Sequence, residues 1–120
     1  MAKDLVKMSL LFDLYGGMLT EKQRELFTLY YEEDYSLAEI AQNEGITRQG
    51  VRDTIVRAEE ALQACEDKLR LSDRLSEIRA AAQKIAVAAY EAGEINRRSY
   101  FDTRIDQYVK DIIEAARVIE

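Results

Sequence analysis

The sequence predicts an all-α protein, and three observations carry that reading. Its 120 residues include no proline and only five glycines, so almost no position forbids or weakens a helix. Hydrophobic residues make up 48% and charged residues 33%, enough apolar material for a core and too much for a disordered chain. Apolar residues recur at steps of three and four along most of the chain, the period of one helix face. No apolar run approaches the roughly 20 residues that a membrane span needs. The opening Met1-Ala2-Lys3-Asp4 leads into alternating apolar and polar residues with no export-signal core, so the expected location is the cytoplasm.

Leu5, Met8, Phe12 and Tyr15 mark one face of a first helix that ends at Gly16-Gly17. Thr20 reads as the N-cap of a second helix with Glu21 in its first turn and a wide apolar face of Leu26, Phe27, Tyr30 and Tyr31. Glu32-Glu33-Asp34 closes it. Ser36 and Glu39 are spaced as a capping box, so a third, short helix begins there, carries Leu37, Ile40 and Ala41, and stops at Gly45. Thr47 caps a long fourth helix with Val51, Ile55, Ala58, Leu62, Cys65 and Leu69 on its apolar side. Near Ser72 the phase shifts, and Leu71, Leu75, Ile78, Ala82, Ile85 and Ala89 begin a new stripe. Ser72 reads either as the cap of a fifth helix or as a stutter in a continuous one. Gly93 ends that segment, Ser99-x-x-Asp102 has capping-box spacing, and Phe101, Ile105, Tyr108, Ile112, Ala115 and Ile119 form the last stripe. The final two helices are expected to pair antiparallel. Residues 1–71 form one part and residues 72–120 a C-terminal helical hairpin, either within the same compact domain or as an oligomerisation extension.

The absent residues exclude whole classes of chemistry. With no histidine and one cysteine, Ser-His-Asp triads, Cys-His dyads, His-Cys zinc sites and intramolecular disulfides are impossible. Cys65 sits on an apolar helix position and reads as a core thiol. No phosphate-binding glycine motif occurs. Adjacent acids such as Glu32-Glu33 and Glu59-Glu60 point apart on a helix, the wrong geometry for paired carboxylates. The chain is therefore expected not to be an enzyme and to need no metal or cofactor.

Residues 36–57 carry the functional signal. A helix-turn-helix needs a small residue where its helices cross, a glycine in the turn, and apolar residues that lock the second helix onto the first. Ala41, Gly45 and the set Ile40, Ile46, Val51 and Ile55 fit that core. Thr47, Arg48, Gln49, Arg52 and Asp53 then lie on the outward face of the second helix. Arginine can donate two hydrogen bonds to guanine and glutamine can pair with adenine, so these five are the candidate base-reading residues. Gln42 and Asn43 on the first helix, and Arg57 one turn on, are placed for phosphates. Charge is uneven: residues 1–46 hold 9 acids and 4 bases, 47–71 hold 5 and 5, and 72–120 hold 9 and 8, which recovers the net charge of −6.

Residues 18–62, from Met-Leu-Thr-Glu-Lys-Gln-Arg to Ala-Glu-Glu-Ala-Leu, resemble the fourth region of bacterial sigma factors, which recognises the −35 promoter element. Leu10-Leu11-Phe12-Asp13-Leu14-Tyr15, Leu19-Thr20-x-Lys22-Gln23-Arg24, Tyr31-x-Glu33-Asp34-Tyr35-Ser36-Leu37-x-Glu39-Ile40-Ala41 and Thr47-Arg48-Gln49-Gly50-Val51 resemble more closely the YlxM family. These are small DNA-binding proteins encoded next to the signal recognition particle GTPase. The resemblance covers about residues 5–71. It implies a sigma region 4-like helix-turn-helix bundle, followed here by long C-terminal helices, and a regulatory role connected with the signal recognition particle pathway. Where sigma factors carry further basic residues after the recognition helix, this chain has Glu59 and Glu60, which near a phosphate repel it.

The expected function is that of a DNA-binding regulator with Arg48, Gln49 and Arg52 in the major groove. The alternative keeps the fold and makes the acidic surface a docking face for RNA polymerase, a sigma-type partner or signal recognition particle components. A homodimer through the C-terminal helices is the expected assembly.

Overall fold

The computed structural model describes residues 3–119; Met1 and Ala2, on which the export-signal reading falls, and Glu120, at the end of the expected hairpin, lie outside them. The described residues form six α-helices, one 3-10 turn and no strand. The order is α1 (Leu5–Tyr15), the turn (Gly16–Met18), α2 (Glu21–Tyr31), α3 (Leu37–Glu44), α4 (Arg48–Leu69), α5 (Leu71–Arg98) and α6 (Thr103–Arg117). The fold is all-α. The chain divides into two compact units, the first ending at Ser72 and the second beginning at Asp73.

In the first unit, α4 is the element on which α1, α2 and α3 all pack. Its Val51, Ile55, Ala58 and Leu62 are 0% exposed. Around them lie Met8, Leu11 and Tyr15 of α1, Leu26, Phe27, Tyr30 and Tyr31 of α2, and Ile40 and Ala41 of α3. Phe12 stacks on Phe27 at 4.7 Å between ring centroids, and Phe27 on Tyr31 at 4.5 Å, the offset geometry that aromatic quadrupoles favour. Half-buried Cys65 borders the same cluster. The α1 face differs from the expected line. Leu5 is exposed, because it lies in the first turn beyond the packed length, and Leu11 is buried instead.

The caps explain the helix boundaries. Thr20 and Gln23 form a capping box at α2, with Gln23 N–H donating to Thr20 Oγ1 at 3.2 Å and Thr20 N–H to Gln23 Oε1 at 3.0 Å. Ser36 and Glu39 repeat the arrangement at α3, both bonds at 3.1 Å. Gly45 ends α3 at φ 69°, a left-handed position that costs glycine nothing. Gly16 has another purpose: its φ is −54°, but a Cβ there would lie 3.2 Å from the Phe12 ring.

The fourth and fifth helices are separate, since Arg70 adopts φ 54° between them. Ser72 is the second residue of α5 rather than its cap. Its N–H donates to the Glu66 carboxylate at 3.1 Å, and the Leu71 N–H donates to the Tyr15 hydroxyl at 3.0 Å. Those two side chains satisfy donors that a helix start otherwise leaves open. Burial pushes the Tyr15 phenol above its ordinary value.

The second unit departs most from the sequence reading. Gly93 does not end a helix; α5 continues to Arg98, and Gly93 is buried where a Cβ would stand 3.0 Å from Val109 Cγ1 of α6. The two helices meet at Gly93 of α5 and Val109 of α6, and Ala82 and Ala89 of α5 and Ala116 of α6 are buried as well. Of the expected α5 stripe, Ala82 and Ala89 are buried and Leu75 is half-buried, while Leu71, Ile78 and Ile85 are exposed; of the last stripe, Phe101, Ile105, Tyr108, Ile112, Ala115 and Ile119 are exposed. The physical reason is that small side chains let two helices approach closely, which turns the large ones to the flank. The cap of α6 is Asp102, accepting from Arg104 N–H at 2.8 Å, and Ser99 takes no part in it. Buried Asn96 holds the connection from both sides: its Nδ2 donates to Asp102 O at 3.0 Å and its Oδ1 accepts from Asp102 N–H at 3.1 Å.

Asn96→Ala removes both bonds and leaves the Asp102 N–H without its partner, although Asp102 O keeps the Asp106 N–H, so the hairpin is expected to lose about 1–3 kcal/mol, read as a lower helical melting temperature. Acid sensitivity has a separate origin in the first unit. Lys22 Nζ lies 2.5 Å from Glu44 Oε2 and ties α2 to α3. The hydrogen bond from Lys22 lowers the Glu44 carboxyl below 4.5, and the same bond raises Lys22 above 10.5. The carboxylate's contribution is thus full above pH 4.5 and lost as pH falls through its folded value, while the ammonium's is full below 10.5 and lost above its folded value. Denaturant titrations of Glu44→Gln are expected to show a shallower loss of stability below pH 4.5 than the unaltered chain shows.

Candidate nucleic-acid interface

The short α3, a tight turn and the first turns of the long α4 present the interface. Ile46, read from the sequence as part of the core between α3 and α4, is instead 42% exposed, because it sits in the turn itself. Ile40, Ala41, Val51 and Ile55 are buried at the crossing, and the Ile46 N–H closes the turn on Ala41 O at 3.2 Å. Thr47 caps α4 by accepting from Gly50 N–H at 2.9 Å. Its hydroxyl oxygen is committed to the backbone, though its O–H can still donate outward.

Arg48, Gln49, Arg52, Asp53 and Arg57 are all exposed. No ion pair holds Arg48, Arg52 or Arg57 among the described residues. Gln49 and Asp53 are bonded to each other, Nε2 to Oδ1 at 2.8 Å. The same four-residue spacing recurs as Gln63–Asp67 at 2.8 Å and Gln107–Asp111 at 2.9 Å, so it is in part a general stabiliser of helix surface. A bidentate contact to adenine uses both ends of the glutamine amide, and Gln49 must share or release Asp53 to make one. The arginines carry no such obligation.

Gln42 and Asn43 are exposed on α3. Asn43 opens onto a shallow groove lined also by Glu21, Arg24, Glu25, Glu33 and Glu44. Four carboxylates outnumber the Arg24 guanidinium and the Lys22 ammonium that pairs with Glu44 and Glu25, which disfavours a phosphate at that point. The structure thereby separates Asn43, which faces this acidic groove, from the arginines at the start of α4.

Glu59 and Glu60 also part company. The Tyr31 hydroxyl of α2 donates to Glu59 Oε2 in a short hydrogen bond. Burial first, and then this bond, push the Tyr31 phenol well above its ordinary range. Glu59 is therefore turned aside toward α2 and half-buried, whereas Glu60 stays exposed. At about 100° per residue Glu60 falls on the helix line of Gln49 and Asp53. Sequence spacing alone missed the Tyr31–Glu59 contact, since its partners are 28 residues apart. The signal for it was the polar tip of a tyrosine on an otherwise apolar face, which needs a partner once buried.

Residues 2–100 match the model of the UPF0122 family, described as "Putative helix-turn-helix protein, YlxM / p13 like". The chain belongs to this family. A UPF0122 protein of Thermoanaerobacter sp. (strain X514) is 46% identical over 120 residues, covering all of this chain and 97% of the relative. A UPF0122 protein of Symbiobacterium thermophilum is 54% identical over 67 residues, 56% of this chain and 63% of the relative. One from Clostridium perfringens (strain 13 / Type A) is 36% identical over 108 residues, 90% and 91% of the two chains. UPF0122 is a helix-turn-helix family and not one defined by an enzymatic reaction. Among the described residues no helix is long and apolar enough to cross a membrane, and no group of three metal-binding side chains forms.

Tyr31→Phe removes the donor to a charged acceptor and is expected to cost about 1.5–3 kcal/mol in urea unfolding. Glu60→Gln, on the solvated line, is expected to stay within about 0.5 kcal/mol. Equal effects of the two would mean that Glu59 and Glu60 share one environment.

Proposed function

We propose that this chain is a DNA-binding regulatory protein that lays the first turns of α4 in the major groove. The observation that carries the reading is a helix start, locked by a buried helix-turn-helix core, from which three unpaired arginines project. Arg48 and Arg52 read guanine edges, and Gln49 reads adenine once it yields its bond to Asp53. Asp53 can accept from a cytosine amino group, and Thr47 can donate to a base or a sugar-phosphate oxygen. Arg57 contacts the backbone, with Gln42 beside it. Asn43 stands last among the phosphate candidates because of the acidic groove. The family's description supports the helix-turn-helix part of this reading. A place in the signal recognition particle pathway rests on the family resemblance.

A second reading makes the protein a docking module for RNA polymerase, a sigma-type protein or signal recognition particle components. The net charge of −6 and the groove of Glu21, Glu25, Glu33 and Glu44 favour it. Affinity for duplex separates the two: the DNA reading requires it, weakening as counterions compete, and the docking reading requires none.

Selection of bound fragments from genomic DNA, followed by titration of variants, tests the proposal. Arg52→Ala is expected to weaken the selected site by about 1–3 kcal/mol and relax one base position, while Arg57→Ala weakens all duplexes alike. With roughly two to four phosphates neutralised per chain, the log-log salt slope is expected near −2 to −4 for one module. Glu60→Lys is expected to tighten binding to every duplex. An empty selection at low salt, or variants that bind every sequence as the unaltered chain does, would sink the groove assignment.

A further inference from the structure

The second unit, considered by itself, carries an apolar face that its own two helices leave uncovered. On α5 the positions Ile78, Ala81, Ile85, Ala88, Ala92 and Ile95 lie roughly 40–140° to one side of the buried Ala82–Ala89–Gly93 line, at 3.6 residues per turn. On α6, Ile105, Tyr108, Ile112 and Ala115 lie roughly 40–120° from the Val109–Ala116 line in the same rotational sense, with Phe101 just before the helix and Ile119 just after it. The helices are joined by a short connection and run antiparallel, so equal rotation places both flanks on the same side of the hairpin. None of these twelve positions is charged, and Arg74 and Glu77, on the same flank just before Ile78, bound the face. The opposite flank carries Arg79, Gln83, Tyr90 and Arg97 on α5 and Asp106, Lys110 and Arg117 on α6, with Lys110 Nζ 2.9 Å from Asp106 Oδ2. One side of the hairpin is built for water and the other is not.

The size of the face selects its occupant. Its eight large side chains are 41–67% exposed. At roughly 150–250 Å² for each such side chain, they present on the order of 800 Å². That exceeds the largest apolar patch of an ordinary monomer, about 300–600 Å², and equals one partner's share of a standard stable interface, about 800 Å². The interior of the hairpin is poor by comparison. Alanine and glycine contribute little buried area each, so two helices held by them gain stability from a further apolar layer.

We infer that this face binds the same face of a second copy of the chain, forming a two-fold symmetric four-helix bundle from two α5–α6 hairpins. A surface without charge has nothing to repel its own image, and a two-fold interface requires that a patch fit itself. Isoleucines spaced by three and four, alternating with alanines, supply the large and small positions that interdigitate between facing helices. The dimer does not depend on the DNA-binding proposal, and its test contains no DNA.

Sedimentation equilibrium of the full chain at 1–100 µM is expected to give twice the 13.8 kDa chain mass. Ile85→Glu combined with Ile112→Glu is expected to give the monomer mass with helical circular dichroism retained. Ile85→Ala with Ile112→Ala keeps strong helix formers at both sites and is expected to raise the dimer Kd about tenfold or more, so the test stands even if the glutamates unfold the hairpin. Gln83→Glu, on the polar flank, is expected to leave the mass unchanged. A monomer at 100 µM, as follows if the first unit of the same chain or a different protein covers this face, overturns the inference. So does a dimer indifferent to both Ile85 and Ile112 pairs, or one dispersed equally by Gln83→Glu.

Discussion

Everything in the first unit depends on four side chains of α4 reaching complete burial at once. Val51, Ile55, Ala58 and Leu62 form one line along about three turns of helix, and α1, α2 and α3 each cover part of it. Burying a Val, Leu or Ile side chain stabilises by about 1.5–3 kcal/mol, which is large against a total stability of about 5–15 kcal/mol for a domain. The same helix exposes Arg48 in its first turn, ahead of that line, and Arg52 to one side of it. Its orientation is fixed by packing, so the arginines stand on a rigid element without help from the turn. That arrangement also accounts for the exposure of Ile46, since the helix is already held by residues further along.

The first unit was largely legible in the sequence because its signals are local. Ser36 with Glu39, Gly45 and Thr47 each act within four residues, and all three perform structurally as their residue types require. Packing partners were harder. Leu5 and Leu11 share the α1 pattern, and only the length of the packed region decides which is buried. The second unit shows the limit more sharply. The 3–4 spacing of Ile78, Ala82, Ile85 and Ala89 is a true helix periodicity, yet only its alanines are buried, together with Gly93 and Val109 outside the expected stripes. Hydrophobicity ranks isoleucine above glycine as core, whereas close helix approach ranks them the other way. Asn96 was invisible for a related reason, because its worth lies in meeting both backbone groups of Asp102 across the connection.

In the candidate interface, residue types were legible and commitments were not. Arginine, glutamine and asparagine at those positions suggest nucleic acid whether or not their polar atoms are already engaged. Folding sorts them: Gln49 is bonded to Asp53, Glu59 to Tyr31, and Asn43 faces carboxylates, while Arg48, Arg52 and Arg57 remain open to a ligand. An acidic chain can thus present a small basic site, provided that its acids are turned to other faces or tied to other groups. The net charge of −6 describes the whole surface, and the site is a few residues of one helix.

The placement of α4 has a consequence for the order in which the chain can assemble as it is made. The faces of α1 and α2 that contain Leu11, Tyr15, Phe27 and Tyr31 leave the ribosome before the helix that covers them. At about 5–20 residues per second, the stretch from Tyr31 to Leu62 takes roughly 2–6 s to synthesise. During that interval five aromatic rings and several leucines have only one another for shelter. The Tyr15 hydroxyl finds the Leu71 N–H later still. A chain stalled in this window would expose the apolar surface that the finished molecule hides most completely, which makes the rate of translation through α3 and early α4 part of how safely this protein reaches its fold.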